Sequence, residues 1–343
     1  MKKTRLLAAL LAGVMALSLT ACGSTEEDTT APAGEDTSAA QESTAGGQSF
    51  DVGICQQMQH ESLDAATQGF QDKLTELMEA DGNTVNFDLQ NASGDSANCT
   101  TIINGFVSAG DDLIMANGTA ALQAAQSGTA DIPILGTSIT DYATALDMSD
   151  WTGKTGTNIS GTTDLAPLQG QAEMIQEIFP DAKNVGLLYC SAEPNSAYQI
   201  NTIKPILEEM GYTCTEFTFT DSNDVASVTT NACASSDVIY IPTDNTAATC
   251  TETIRNVVVP AGVPVITGEQ GPCAVCGVAT LSIDYYELGE MTGQMAYDIL
   301  VGGENPGDME IQPAPTFTKM YNPTICEELG ITPPEGYEAI ESE

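Results

Sequence analysis

From Ser49 onward, short β-branched apolar runs alternate with longer amphipathic stretches, and the whole alternation occurs twice. The first half places strands at 50–54, 84–89, 112–116 and 132–136, with helices at 63–78, 98–108 and 119–128. The second half places helices at 168–179, 196–210, 225–234 and 247–258, and strands at 184–189, 213–219, 238–241 and 263–266. Strands separated by helix-length segments form parallel βαβ units rather than hairpins, which excludes a sandwich. The predicted fold class is therefore α/β, with two doubly wound lobes. Two such lobes leave a cleft between them, and ligands of open parallel sheets sit at the carboxyl ends of the strands.

The chain ahead of Ser49 has a different character. Lys2, Lys3 and Arg5 precede an apolar stretch from Leu6 to Leu19, the pattern of an export signal spanning 1–21. That run is short for a permanent membrane span, and it ends in Leu19-Thr20-Ala21-Cys22, which resembles a bacterial lipobox. Cys22 is the expected lipidation site; the alternative is an ordinary secretory signal cut near Ala21. Residues 22–48 hold no large apolar side chain and read as an acidic, disordered tether. The expected location is the extracytoplasmic face of the cell membrane, held by the lipid.

Charge and cysteine content narrow the function. Without Lys2, Lys3 and Arg5, six basic residues of the original nine face 48 acidic ones, a formal charge of −42. Such a surface repels polyanions, so nucleic-acid binding is excluded. Nine cysteines remain after Cys22, scattered and odd in number, so they do not form a dense disulfide framework. Cys273-x-x-Cys276 has redox or metal spacing, but Gly271-Pro272 before it and Gly277 after it suggest a loop, and no second pair accompanies it. These thiols read as small unspecialised residues or one local disulfide. His60 is the only histidine, no Gly-x-Ser-x-Gly occurs, and no phosphate-binding Gly-Lys-Ser/Thr loop is present. No metal site, cofactor or catalytic residue is expected.

The residues following each predicted strand are small and polar: Gln56-Gln57, Asn117-Gly118-Thr119, Thr137 to Asp141, Asn195-Ser196, Thr243-Asp244-Asn245 and Glu269. In these and neighbouring stretches the chain resembles the ABC transporter substrate-binding proteins that include the tryptophan/tyrosine-binding members. The matching segments include Val52-Gly53-Ile54-x-Gln56 with His60, Gly118-Thr119-x-Ala121-x-Gln123, Pro242-Thr243-Asp244-Asn245-Thr246 and Ile283-Asp284-Tyr285-Tyr286. The resemblance implies a hinged trap of the periplasmic-binding-protein-like type I kind, two lobes joined by three crossovers. On that basis lobe 1 is placed at 49–158 and lobe 2 at 159–280. Residues 281–308 form the return crossover and a lobe 1 helix, and 309–343 a C-terminal segment.

An amino-acid ligand needs partners for a carboxylate, an ammonium and a side chain. Gly118 and Thr119 open a helix after a strand, where backbone N–H groups favour an anion, and Ser138 and Thr140 add hydroxyls. Asp244 and Asp284, with Asp141 as a third, are the expected ammonium partners. Asn195 and Ser196 either bind a second polar group or cap their helix. Gln56, Met58 and His60 are placed near the ligand side chain with Tyr142 stacking on it, and Thr243 and Asn245 complete the candidate set. The Tyr285-Tyr286 pair reads as core packing more than ligand contact. The expected role is a monomeric solute-binding lipoprotein, favouring an aromatic amino acid and delivering it to an ABC permease and its ATPase. Rival readings are a sensor presenting ligand to a receptor, a nucleoside or sugar as cargo, and an exported enzyme using Asp244 or Asp284 as a base.

Overall fold

The computed structural model describes residues 47–340. The signal segment, Cys22 and nearly all of the tether lie outside them. Lobe 1 opens with β1 (Ser49–Gln56), α1 (Glu61–Ala80), β2 (Thr84–Asn91), α2 (Ser96–Ala109) and β3 (Leu113–Asn117). It continues through α3 (Thr119–Gly128), β4 (Ile134–Ile139), the short α4 (Tyr142–Ala145) and β5 (Ile159–Thr163). Lobe 2 follows with α5 (Leu168–Ile178), β6 (Asn184–Cys190), α6 (Pro194–Glu209), β7 (Thr213–Phe219), α7 (Val225–Cys233) and β8 (Val238–Ile241). Next come α8 (Asn245–Thr249), α9 (Thr251–Ala261), β9 (Val265–Thr267), α10 (Gln270–Cys276) and β10 (Ala279–Ser282). The chain then runs through α11 (Tyr285–Leu300), β11 (Gln312–Pro313), β12 (Thr318–Tyr321), α12 (Pro323–Leu329) and β13 (Glu338–Ala339).

Both sheets wind the same way. The first has the order β11-β5-β4-β3-β1-β2 and the second β13-β12-β10-β9-β8-β6-β7, all parallel except the β10–β12 pair. The central strands β3 and β4 are buried along their whole length, while edge strand β2 alternates. Fully covered parallel strands read as continuous apolar runs, which is why they were legible. Each sheet is sandwiched between two apolar clusters. In lobe 1 these centre on Phe106 and Ile114, and on Phe70 and Leu113; in lobe 2, on Leu187 and Tyr240, and on Leu188 and Ile239.

Three features differ from expectation. β5 pairs with β4 in the first sheet, so the lobe boundary falls after Thr163 rather than at 158/159. β4 and β9 start one residue past Pro133 and Pro264, because proline has no N–H for the ladder; its carbonyl still accepts from Ile114 and Ile239. Cys273 and Cys276 lie on α10 instead of a loop, with Pro272 tolerated in the first turn, where an N–H lacks a helical partner in any case. Both thiols are buried, and all nine cysteines from Cys55 to Cys326 are unpaired, so no local disulfide forms. None of the described helices is long and apolar enough to cross a membrane.

The chain crosses between the sheets three times: β5 to α5, β10 to α11, and β11 to β12. The middle crossing returns α11 to lobe 1, where it packs closely along α1. Glycines make this approach possible: a Cβ at Gly289 would stand 2.1 Å from the Ala66 carbonyl oxygen, and one at Gly69 2.1 Å from that of Tyr286. Replacing Gly289 by alanine is expected to lower stability by about 1–3 kcal/mol, the usual cost of overpacking, read from the urea midpoint.

Candidate functional site

The strand order 2-1-3 in each sheet puts a switch point at β1/β3 and at β6/β8, and the loops beyond those strands face one another. Between them lies a small cavity of about 10 Å³, room for about one water. Lobe 1 contributes His60 and Leu63 from the start of α1, Ser138 and Thr140 from the end of β4, and Asp164 just past β5. Lobe 2 and the crossover contribute Asn195, Thr243, Asn245, Glu269 and Tyr285. Two contacts bridge the lobes: His60 Nε2 meets Asn245 Oδ1 at 3.2 Å, and Ser62 Oγ donates to Glu269 Oε2.

Two buried carboxylic acids dominate the cavity. Asp164 accepts from Thr140 Oγ1 and from the Tyr285 hydroxyl, each at 3.1 Å. Burial pushes it up to about 6, against the lowering effect of those two hydrogen bonds. Glu269 has one donor, Ser62, and its Oε1 has no partner. Burial pushes it up to about 8; the Ser62 hydrogen bond opposes this, and Asp164, Asp244 and Glu193 add to it. Burial also lowers His60, which favours its neutral form. No Lys or Arg lines the cavity. Five of the six in the described residues pair with surface carboxylates, and Lys183 is exposed.

Uncharged groups remain for other parts of a ligand. Ser138 adopts φ 55°, in the left-handed region, and its buried Oγ has no partner. Asn195 Oδ1 is likewise buried and unpartnered, while its Nδ2 donates to Glu193 Oε2 at 3.2 Å and Thr243 O at 3.3 Å. The first turns of α1 and α6 carry no side-chain cap. Asn195 also borders a neighbouring cavity lined by Met58, Thr119 and Pro194.

Of the residues singled out from sequence, His60, Ser138, Thr140, Asn195, Thr243 and Asn245 meet at the cavity. The others do not line it. Gln56 is turned into lobe 1, donating to Met58 O and Asp64 Oδ1 and accepting from Thr67. Gly118 and Thr119 do open α3, but Gln57 Oε1 already accepts the Ala120 N–H at 2.8 Å, and Thr119 faces the neighbouring cavity. Asp141 caps α4 through Thr144 N. Ser196 is fully buried and its hydroxyl bonds Asp244. Asp244 accepts Cys190 N at 2.7 Å and Ala247 N at 2.8 Å, so both oxygens serve the lobe 2 backbone. Asp284 is exposed and caps α11 through Tyr286 N and Glu287 N. Tyr142 is no stacking platform: its hydroxyl donates to Gly136 O and Thr162 O, and its ring stacks on Trp151 inside lobe 1.

The sequence pattern passes over Asp164, reads Tyr285 as core packing more than ligand contact, and marks Glu269 only as a polar strand end. Asp164 follows a strand that the periodicity did not reveal. Tyr285 and Tyr286 behave differently: Tyr285 reaches the cavity, whereas Tyr286 is exposed and bonds Asp72.

Residues 51–340 match the family described as ABC transporter substrate binding protein. The chain belongs to that family. It is 31% identical over 311 residues to a tyrosine-binding protein of Clostridioides difficile, covering 90% of this chain and 88% of that one. A solved ABC domain from Streptococcus pneumonia in complex with L-Trp is 32% identical, with a TM-score of 0.80 over 85% of this chain and all of that one. The ligand-free, open structure of a substrate-binding protein with adhesive properties from Clostridium difficile is 33% identical, with a TM-score of 0.67 over 86% of this chain and all of that one. This chain is thus a substrate-binding protein and not an enzyme, and the rival reading that made Asp244 or Asp284 a base falls with their capping roles.

Asp284→Ala is expected to lower stability by about 1 kcal/mol through loss of the α11 cap, and to leave ligand affinity unchanged. Paired thermal unfolding and calorimetric titration check this.

Proposed function

We propose that the chain is the extracytoplasmic, lipid-anchored capture component of an ABC importer and that its ligand is an aromatic α-amino acid. The observation that carries the ligand reading is the cavity itself: its ionised or ionisable acids are Asp164 and Glu269, and no cation lines it. A solute that closes over these acids while they are ionised must bring positive charge, because a buried carboxylate is costly unless paired. A primary ammonium supplies that charge and three donors. The carboxylate of the same amino acid would lie on the uncapped first turn of α1 with Ser138 Oγ, where the helix dipole favours an anion. The aromatic side chain would extend past Asn195 toward Met58 and Pro194. The tyrosine-binding and L-Trp-bound relatives support this choice of side chain.

Closure supplies the mechanism. Ligand that touches both lobes binds the closed form better and shifts the population toward it by that difference. The bridges His60–Asn245 and Ser62–Glu269, and the higher structural similarity to the L-Trp complex than to the open relative, support the described arrangement as the closed one. A permease would read that shape. Cys22, at the end of the apolar leader, would hold the protein at the membrane.

Thermal unfolding of the protein begun after Cys22 tests the ligand. L-tyrosine, L-tryptophan or L-phenylalanine at a hundred times its dissociation constant is expected to add about 2.7 kcal/mol, with no shift from sugars or nucleosides. No shift with any amino acid would overturn the ligand assignment. Cells fed a palmitate analogue should label the wild type and not Cys22→Ala; equal labelling would sink the anchor.

A further inference from the structure

Asp164 and Glu269 both face the cavity, but their surroundings differ in a way that divides their roles. Asp164 has a donor on each oxygen, Thr140 on one and Tyr285 on the other, and both favour its anion against burial. Glu269 is 1% exposed, receives only Ser62, and leaves Oε1 bare. The charged groups that act on it are all acidic, Asp164 beyond β5, Asp244 at the start of α8 and Glu193 at the start of α6; His60, held toward its neutral form, and Tyr285 share its cavity, and Glu61 and Asp284 line a pocket that also touches Tyr285. With the lobes shut, an ionised Glu269 has no positive partner inside the protein.

We propose that Glu269 is the residue that selects for an ammonium in the ligand, because the closed cleft must hold either that ammonium or a proton on Glu269. This rests on the amino-acid reading above and adds to it the selecting group. Over an amino acid, Glu269 is the carboxylate partner of R–NH₃⁺. Over a solute of the same shape without the ammonium, Glu269 closes as the neutral acid and takes its proton from solvent.

The two complexes therefore differ by one bound proton. Glu269 in the ammonium-free cleft is pushed up to about 8, whereas a paired ammonium lowers it. Below that value the ammonium-free complex gains a proton that the amino-acid complex lacks. Its relative affinity therefore rises about tenfold for each pH unit lost. The ratio of the two affinities depends only on the two complexes, so the open or closed state of the empty protein cancels. His60, Asp164 and Asp244 cancel as well where both complexes hold them alike.

The experiment is calorimetric titration of the purified protein with L-tyrosine and with hydroxyphenylpropionate, which is tyrosine lacking its ammonium, between about pH 5.5 and 7.5. The preference for L-tyrosine is expected to shrink about tenfold per pH unit on acidification. In Glu269→Gln, which keeps an oxygen to accept from Ser62, the preference at the upper pH falls by about tenfold to a hundredfold and no longer varies with pH. In Ser62→Ala, which keeps the carboxylate, the pH dependence persists. A pH-independent preference in the wild type, a pH dependence surviving in Glu269→Gln, or its loss in Ser62→Ala would each overturn the role given to Glu269. If neither L-tyrosine nor L-tryptophan binds the wild type, the amino-acid reading fails and this inference falls with it; binding without the slope overturns this inference alone.

Discussion

Enclosing two carboxylic acids at the seam of two lobes, with no cation in reach, is the constraint on which the rest of this molecule turns. Apolar burial can close a cleft, but charge decides what it closes over. Asp164 is tolerated because Thr140 and Tyr285 donate to it from two different segments. Glu269 is tolerated only as far as Ser62, a proton or a ligand satisfies it. The desolvation penalty for an unpaired carboxylate in such a place amounts to several kcal/mol, larger than most single contacts in the fold. Selectivity can therefore come from one bare oxygen.

Holding that seam requires rigid surroundings, and much of the polarity near the cleft serves this purpose instead of touching ligand. Glu193, at the N-cap of α6, accepts from the backbone of Asn245 and Thr246 and from both of their side chains, tying α6 to α8. Asp244 ties the start of α8 to the end of β6. Gln56 does the same for β1 and α1 through Asp64 and Thr67. Each satisfies donors or acceptors that would otherwise be buried unpaired, worth about 1–3 kcal/mol apiece in avoided cost. The residues that do face the cavity keep unused capacity, as Ser138 Oγ, Asn195 Oδ1 and Glu269 Oε1 show.

The same chemistry explains which site residues could be read in advance. His60, Ser138, Thr140, Asn195, Thr243 and Asn245 follow predicted strands, and the strand-end rule of parallel sheets finds them. That rule cannot separate a strand-end carboxylate that caps a helix from one that faces a ligand, so it favours Asp244 over Glu269, and the hinge-region Asp284 proves to be a helix cap as well. Asp164 escaped because β5, Ile159-Ser160-Gly161-Thr162-Thr163, is short and polar. It is a strand because it completes the first sheet beside β4, and no local pattern announces that.

By itself, the sequence determined what depends on local period and composition: the two rounds of βαβ, a strongly acidic chain, and the scarcity of basic side chains. Six Lys and Arg beyond Arg5 leave few cations for any cleft, wherever it forms. Tertiary structure decided which carboxylates lie without a counter-charge, because that depends on the three crossovers bringing Ser62, Asp164, Glu269 and Tyr285 together from segments up to 223 positions apart. Burial and the direction of a side chain are set by packing across such distances, and the pKa and the selectivity follow from them.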